Sequence, residues 1–180
     1  MASPKSNYSL RAGVLSYLVP GLGQIYEGRV GKGILFMVCL YGLFFYGMYL
    51  GDWKNVHLPN SAAVNPPPVN MPKLLANIYN RPQFAGQFWI GIAAWPAIWQ
   101  YNNLPVPSEE SHPFWHDFQR TPSEKTLNEL QAEGDKTWDL AWVYTVIAGA
   151  LNVLVIYDAV AGPALGIEME SRRPLQEAAA

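Results

Sequence analysis

The spacing between charged residues is what most constrains this chain. Nineteen consecutive residues between Lys32 and Asp52 carry no charge, and eighteen more lie uncharged between Asp139 and Asp158. A helix of the first length rises about 28 Å, close to the ~30 Å hydrocarbon thickness of a bilayer. These runs predict membrane helices over about 33–51 and 139–162. Apolar residues resume after Asp158 as far as Ile167, and Pro163 is expected to end or kink the second helix because proline has no amide hydrogen to donate. Arg81 to Glu109 is also free of charge and supplies a third candidate over about 83–101, made less apolar by its three Gln and by Pro96. Arg11 to Glu27 encloses only fifteen residues. That segment, about 10–26, reads as a short or broken membrane helix or as a re-entrant hairpin. A cleaved secretory signal fits poorly, because no small-x-small pattern follows the apolar stretch.

The break in this first segment is Pro20-Gly21-Leu22-Gly23. Backbone groups freed there need partners from neighbouring helices, polar side chains or water, and Gln24 is the nearest side chain able to serve. Trp53, Trp89, Trp99, Tyr101, Trp138, Trp142 and Tyr157 fall near the ends of the proposed spans, where amphipathic rings favour the headgroup region. The overall picture is an all-α integral membrane helical bundle, one domain over 1–180, with about four membrane segments. Its polar loops cover 52–81 and 102–138, and a tail covers 168–180.

Composition removes several function classes. Charged residues make up 14% of the chain, against about a quarter in soluble domains, and the net charge of -2 lacks the basic footprint of a nucleic-acid binder. No nucleic-acid partner is expected. Cys39 is the single cysteine, so neither an internal disulfide nor a Cys-rich zinc site can form. It sits mid-span, in an apolar setting that disfavours the thiolate.

Between the spans, Asn65-Pro66-Pro67-Pro68 is a stiff extended piece. Lys73 to Arg81 places Leu74, Leu75 and Ile78 on one face, which predicts a short helix at the membrane surface or packed on protein. Thr121-Pro122-Ser123-Glu124 combines an N-cap, a first-turn proline and a capping-box glutamate, predicting an amphipathic helix from about Pro122 to Glu133. With four spans, seven Lys and Arg fall on the side of both termini and five on the other, which favours cytoplasmic termini.

Few residues point to chemistry. Asp158 is either interfacial, where the helix ends, or buried and in need of a partner, where it continues. Thr145 and Asn152 are seven residues apart with Gly149 between them, giving one small, polar helix face suited to interhelical hydrogen bonds. Gly47-x-x-x-Gly51, Ala93-x-x-x-Ala97 and Gly162-x-x-x-Gly166 permit close backbone approach. His112 and His116, beside Glu109, Glu110 and Asp117, superficially resemble a metal cluster. Pro113 pushes His112 out of helical geometry, so a solvated loop is the better reading. Gly28-x-x-Gly31-Lys32-Gly33 lacks P-loop spacing. No nucleophile elbow is present.

Pro20-Gly21-Leu22-Gly23-Gln24-x-Tyr26-x-Gly28, followed by Gly31-Lys32-Gly33 at the start of a membrane helix, resembles the opening segment of the two-transmembrane-helix domain family of bacterial membrane proteins. Tyr157-Asp158 is similar to that family's aromatic-Asp exit. The stretches Ala85-Gly86-Gln87-Phe88-Trp89-Ile90-Gly91 and Thr145-x-x-Ala148-Gly149-x-Leu151-Asn152, running on to Ala159, resemble an uncharacterised bacterial family of the same architecture. The His-Arg-Phe or Asp-Arg-Phe turn of the two-helix domain is replaced by Gln24-Ile25-Tyr26-Glu27, so no signalling role is carried over.

The resemblance implies a multi-pass protein of the bacterial inner membrane, without known activity. The sequence-level expectation is a structural or interaction protein, not an enzyme, with no catalytic residues, metal or cofactor. Gln24, Asn152 and Asp158 form its polar cluster, and Pro20, Gly21 and Gly23 its backbone break. Its partners are the lipid bilayer and, where it assembles, a second copy or another membrane protein. The alternative is an oligomeric transporter or channel component that uses the broken first helix with Asn152 and Asp158.

Overall fold

Ser9 opens the first helix by accepting the Ala12 amide on its hydroxyl oxygen at 3.3 Å, satisfying one of the donors that a helix start leaves unpaired. This helix, α1 (Leu10–Leu18), stops where Pro20 cannot donate and Gly21 turns the chain with φ +84°. The short α2 (Leu22–Tyr26) follows, and Gly28, at φ +81°, leads into α3 (Val30–Leu50). Beyond it come α4 (Lys73–Asn80), α5 (Pro82–Phe88), a 3-10 turn (Ile92–Ala94), α6 (Trp95–Asn103) and α7 (Lys136–Glu177). These come from a computed structural model that describes residues 8–58, 72–103, 118–122, 125, 128, 129 and 136–177. Among the described residues every regular element is helical.

Two helices are long and apolar enough to cross a membrane, Val30–Leu50 and Lys136–Gly162. They run antiparallel, since Lys32 at the start of α3 meets Asp158 while Gly47 near its end lies against Ala141 and Tyr144. Among the described residues four spans are not shown. Segment 10–26 folds as the hairpin α1–α2, and segment 83–101 is divided among α5, the 3-10 turn and α6. The division occurs at Gly91, whose φ +86° and ψ -137° are open to glycine almost alone. Periodicity and charge gaps cannot reveal such a break, because an apolar run reads alike whether straight or folded back.

Pro163 does not end α7, which continues to Glu177. Proline removes a helix bond and crowds the preceding turn, but donors from elsewhere attend to that turn. The Ser9 amide bonds the Val160 carbonyl at 3.2 Å and Arg29 Nη2 bonds the Asp158 carbonyl at 3.1 Å. The short helix expected over Lys73 to Arg81 is α4. The helix expected over Pro122 to Glu133 falls largely outside the described residues, although 125, 128 and 129 are helical.

Both broken segments lie on α7. The α1–α2 hairpin covers its C-terminal part, from Val160 back to Asn152, while α5 covers the stretch from Thr145 to Asn152. They approach each other from opposite ends of the long helices and meet in the middle. A Cβ at Gly91 would stand 1.9 Å from the Tyr17 carbonyl oxygen, and one at Gly149 would stand 2.1 Å from that of Gly86. Leu40, Phe44, Met48, Phe84, Ile90, Ala148 and Val155 fill the space among α3, α7 and the second broken segment.

Beside this apolar core, large apolar side chains face outward and several polar ones are enclosed. Val38 is 65% exposed, Leu154 63% and Leu35 60%, whereas Gln24, Gln87, Thr145 and Asn152 are fully buried.

Candidate functional site

The buried polar residues form a seam along one face of α7, built at three levels. At the middle level, Asn152 donates through Nδ2 to two backbone carbonyls, Ser16 at 3.1 Å and Trp89 at 2.8 Å. The Ser16 carbonyl in α1 would ordinarily accept the amide of residue 20, but Pro20 has none. Trp89 lies just before the Gly91 break. One side chain of a continuous helix thus supplies donors to both discontinuous segments.

Toward the C-terminal end, Ser16 Oγ donates to Gln24 Oε1 at 3.0 Å and accepts the Gly23 amide at 3.1 Å, which ties the two arms of the hairpin together. Gly23 packs so closely on α1 that a Cβ would stand 2.0 Å from the Ala12 carbonyl oxygen. Gln24 Nε2 donates to the Val155 carbonyl at 2.8 Å and to Asp158 Oδ2 at 3.2 Å. Asp158 also accepts from Arg29 Nη1 at 3.0 Å and from Lys32 Nζ at 2.7 Å, and Glu27 takes the other side of Arg29 at 2.6 Å. Two cations and two carboxylates therefore meet in this cluster. Asp158 is at once within a helix that continues past it and partly open, with 29% of its side chain exposed.

Toward the N-terminal end, Thr145 Oγ1 accepts from Gln87 Nε2 at 2.8 Å and from Asn55 Nδ2 at 3.4 Å, and its own hydroxyl hydrogen turns back to the helix carbonyl of Trp142 at 2.9 Å. Between the Thr145 and Asn152 levels the seam is closed by the Gly149–Gly86 contact. The side-chain amide oxygens of Asn55, Gln87 and Asn152 (Oδ1, Oε1 and Oδ1) are enclosed and accept no hydrogen bond, so these side chains work through their N–H side.

Beyond Thr145 the loop after α3 folds over α5. His57 is buried, and its Nδ1 lies 2.7 Å from the Lys54 carbonyl, which only an Nδ1–H can satisfy. Nε2 is then the lone-pair side and accepts from Arg81 Nη1, while Arg81 Nη2 donates to the Asn55 carbonyl at 2.8 Å. Burial, with Arg81 adding to it, holds the imidazole well below its usual value, and burial pushes the Arg81 guanidinium down to about 10. Gln119 pins α6 to the same loop, its amide donating to the Trp53 carbonyl at 2.8 Å and its side chain bonding the Ala97 amide and the Ala93 carbonyl.

Of the residues singled out from sequence, Gln24 and Asp158 are in direct contact, and Asn152 joins them through Ser16. Pro20, Gly21 and Gly23 form the hairpin turn, with Gly21 pressed against Gly33 of α3. The Thr145–Gly149–Asn152 face is the line on which both broken segments rest. Gly47 packs on Ala141 and Gly162 on Arg29, while Ala93 and Ala97 fall on two different elements. Sequence reasoning missed Ser16, Asn55, Gln87, His57 and Arg81. Gln87 had a visible signal, a strong hydrogen-bonding group within a run otherwise apolar. His112 and His116 lie outside the described residues, and among the described ones no group of three His, Cys, Asp or Glu stands together. The arrangement supplies neutral amides and hydroxyls inside and compensated charges at one end; its visible chemistry is the satisfaction of broken backbone.

Residues 11–172 match the model of a family of unknown function, DUF6677, and the chain belongs to that family. No curated protein and no solved structure matches it.

Proposed function

We propose that the chain is a bacterial integral membrane protein with a structural or protein-interaction role and no catalytic activity. In this reading α3 and α7 cross the hydrocarbon, and the two broken segments each enter about halfway, from opposite faces. The observation that carries it is the low burial of the two long apolar helices. Only 28% of the apolar window in α3 and 33% of that in α7 are buried, whereas the core helix of a water-soluble protein would be largely covered. Leu35, Val38, Ile147, Leu151 and Leu154 turn outward, and the amides turn inward. Acyl chains are the solvent in which that distribution is favourable, because an unpaired polar group in hydrocarbon costs several kcal/mol. The likeness of the opening segment to the two-transmembrane-helix domain agrees with two full spans joined to half-depth pieces.

The seam fits a structural role better than a pathway, since closely packed glycines seal it at Gly149 and Gly91. On this topology the segments before α1 and after α7 share one side, with the Arg29–Lys32 turn, and the chain between α3 and α7 lies on the other. Lys and Arg then divide six and six. The charge bias that four spans would create disappears, and orientation has to be measured.

Two measurements test this reading. The protein should remain in the membrane pellet after alkaline carbonate washing, and release into the supernatant would refute it. In a Cys39→Ser background, single cysteines replacing Lys5, Lys54 and Lys125 should react with an impermeant maleimide so that 5 labels from one side while 54 and 125 label from the other. If 54 labels with 5, segment 10–26 crosses fully and the half-depth topology is wrong.

A further inference from the structure

Arg81 stands apart from the other basic residues of the seam. Arg29 and Lys32 are each paired with a carboxylate. Arg81 has none within ion-pair reach among the described residues. Its two hydrogen bonds go to neutral acceptors, the His57 ring and the Asn55 carbonyl, and its Nε–H is enclosed without an acceptor. Three of the five guanidinium N–H groups are thus unused. Arg81 is half-buried, and a cation largely withdrawn from water is ordinarily paired, because removing charge from water without compensation is unfavourable. His57 cannot supply that compensation. It is neutral, it is locked by Lys54 in the tautomer that receives from Arg81, and its protonation would place a second positive charge against the guanidinium.

Position identifies the missing partner. Arg81 joins α4 to α5 and donates to the backbone carbonyl of Asn55. Asn55 packs against Gly51 at the end of α3, nineteen residues and about 28 Å of helix from Lys32, which meets Asp158 at the other end. In the bilayer orientation proposed above, the Asp158 end occupies one polar face, so Arg81 sits near the opposite one, at the depth of headgroup phosphates. We infer that Arg81, oriented by His57 and Asn55, binds a phosphate oxyanion with the remaining N–H groups of Nη1 and Nη2, in the forked geometry that guanidinium offers to phosphate. The lipid source of that phosphate rests on the membrane reading; the affinity of the site for phosphate itself does not.

The test uses the full chain in an uncharged detergent, with the thermal unfolding midpoint followed by tryptophan fluorescence. Inorganic phosphate is titrated against chloride at constant ionic strength. In parallel, dioleoyl phosphatidylglycerol in mixed micelles is compared with a phosphate-free glucosyl diacylglycerol bearing the same acyl chains. The expected result is a saturable rise of several degrees with the phospholipid and none with the glycolipid. A comparable rise with inorganic phosphate would assign the site to soluble phosphate. No rise with either would overturn the inference, and because wild-type protein alone gives that result, it does not depend on a variant folding. Arg81→Gln should abolish the rise and Arg81→Lys should weaken half-saturation about tenfold; an unchanged response in Arg81→Gln would place the phosphate elsewhere and refute the assignment to Arg81. Should Glu109→Gln, Glu110→Gln and Asp117→Asn together remove the dependence on Arg81, its counter-ion is internal and the proposal also fails. A protein that leaves the membrane under carbonate yet still responds to inorganic phosphate would separate failure of the membrane reading from failure of the site.

Discussion

Replacing Asn152 with Leu tests the central claim that one amide holds two broken segments together. Leu matches Asn closely in heavy-atom count, so the change removes hydrogen bonds with little loss of volume. Two donations disappear, to the Ser16 carbonyl at 3.1 Å and to the Trp89 carbonyl at 2.8 Å. Interhelical hydrogen bonds in membranes are worth about 0.6–2 kcal/mol each. The Ser16 carbonyl has no second chance, because Pro20 offers no amide, and a stranded buried acceptor costs about 1–3 kcal/mol. The expected destabilisation is therefore about 2–4 kcal/mol. For a chain of this size that corresponds to a fall of about 4–16 °C in unfolding midpoint. The assay is paired thermal scans of detergent-solubilised wild type and variant at one heating rate, with Val153→Ala, which points outward, as a control expected within about 0.5 kcal/mol. If Asn152→Leu behaves like the control, the segments are held by apolar packing alone and the seam is not what joins them.

Stability should depend on His57 in a defined direction. Its folded value is depressed, so the unfolded chain binds the extra proton first; the contribution is complete above about pH 6.5 and is lost below it at about 1.4 kcal/mol per pH unit. The midpoint should fall between pH 7.5 and 5.5 by an amount that His57→Gln removes; equal pH profiles for the two proteins would contradict it. Gly91→Ala adds a Cβ 1.9 Å from the Tyr17 carbonyl oxygen at φ +86°, and the combined strain should cost at least about 2 kcal/mol. Gly42→Ala, where a Cβ meets nothing within 4 Å, should be neutral or slightly stabilising in the same scan.

The features legible in the sequence were those that depend on the chain's own periodicity and on solvent. Absence of charge marked α3 and α7, and the spacing of Thr145, Gly149 and Asn152 marked the face on which everything else rests. The Pro20-Gly21 break was readable because proline and glycine act on their own backbone. Gly91 was not readable. Its role is set by the Tyr17 carbonyl seventy-four residues earlier, and an isolated glycine in an apolar run looks the same with or without that neighbour. Arg29 and Lys32 could be counted as charges, but their convergence on Asp158 depends on the α1–α2 hairpin returning the chain to the side from which it entered.

That return also accounts for the position of the charges. A four-span chain would separate Arg29 and Lys32 from the C-terminal half of α7 by the full thickness of the hydrocarbon, and Asp158 would face lipid or water without a cation. With α1–α2 folded back, Gln24, Arg29 and Lys32 reach the same carboxylate, and Asp158 can interrupt an otherwise apolar helix without ending it. At the other end no carboxylate among the described residues answers Arg81, although the second segment folds back in the same way. If half-depth segments are stable only when each is anchored at its mouth by an ion pair, Arg81 requires an anion from outside the described chain. Moving a carboxylate to that mouth, as in Asn80→Asp, should then stabilise the protein in phosphate-free detergent and blunt its response to phospholipid. A variant that is no more stable, with an undiminished response, would show that the two ends are held by different physics.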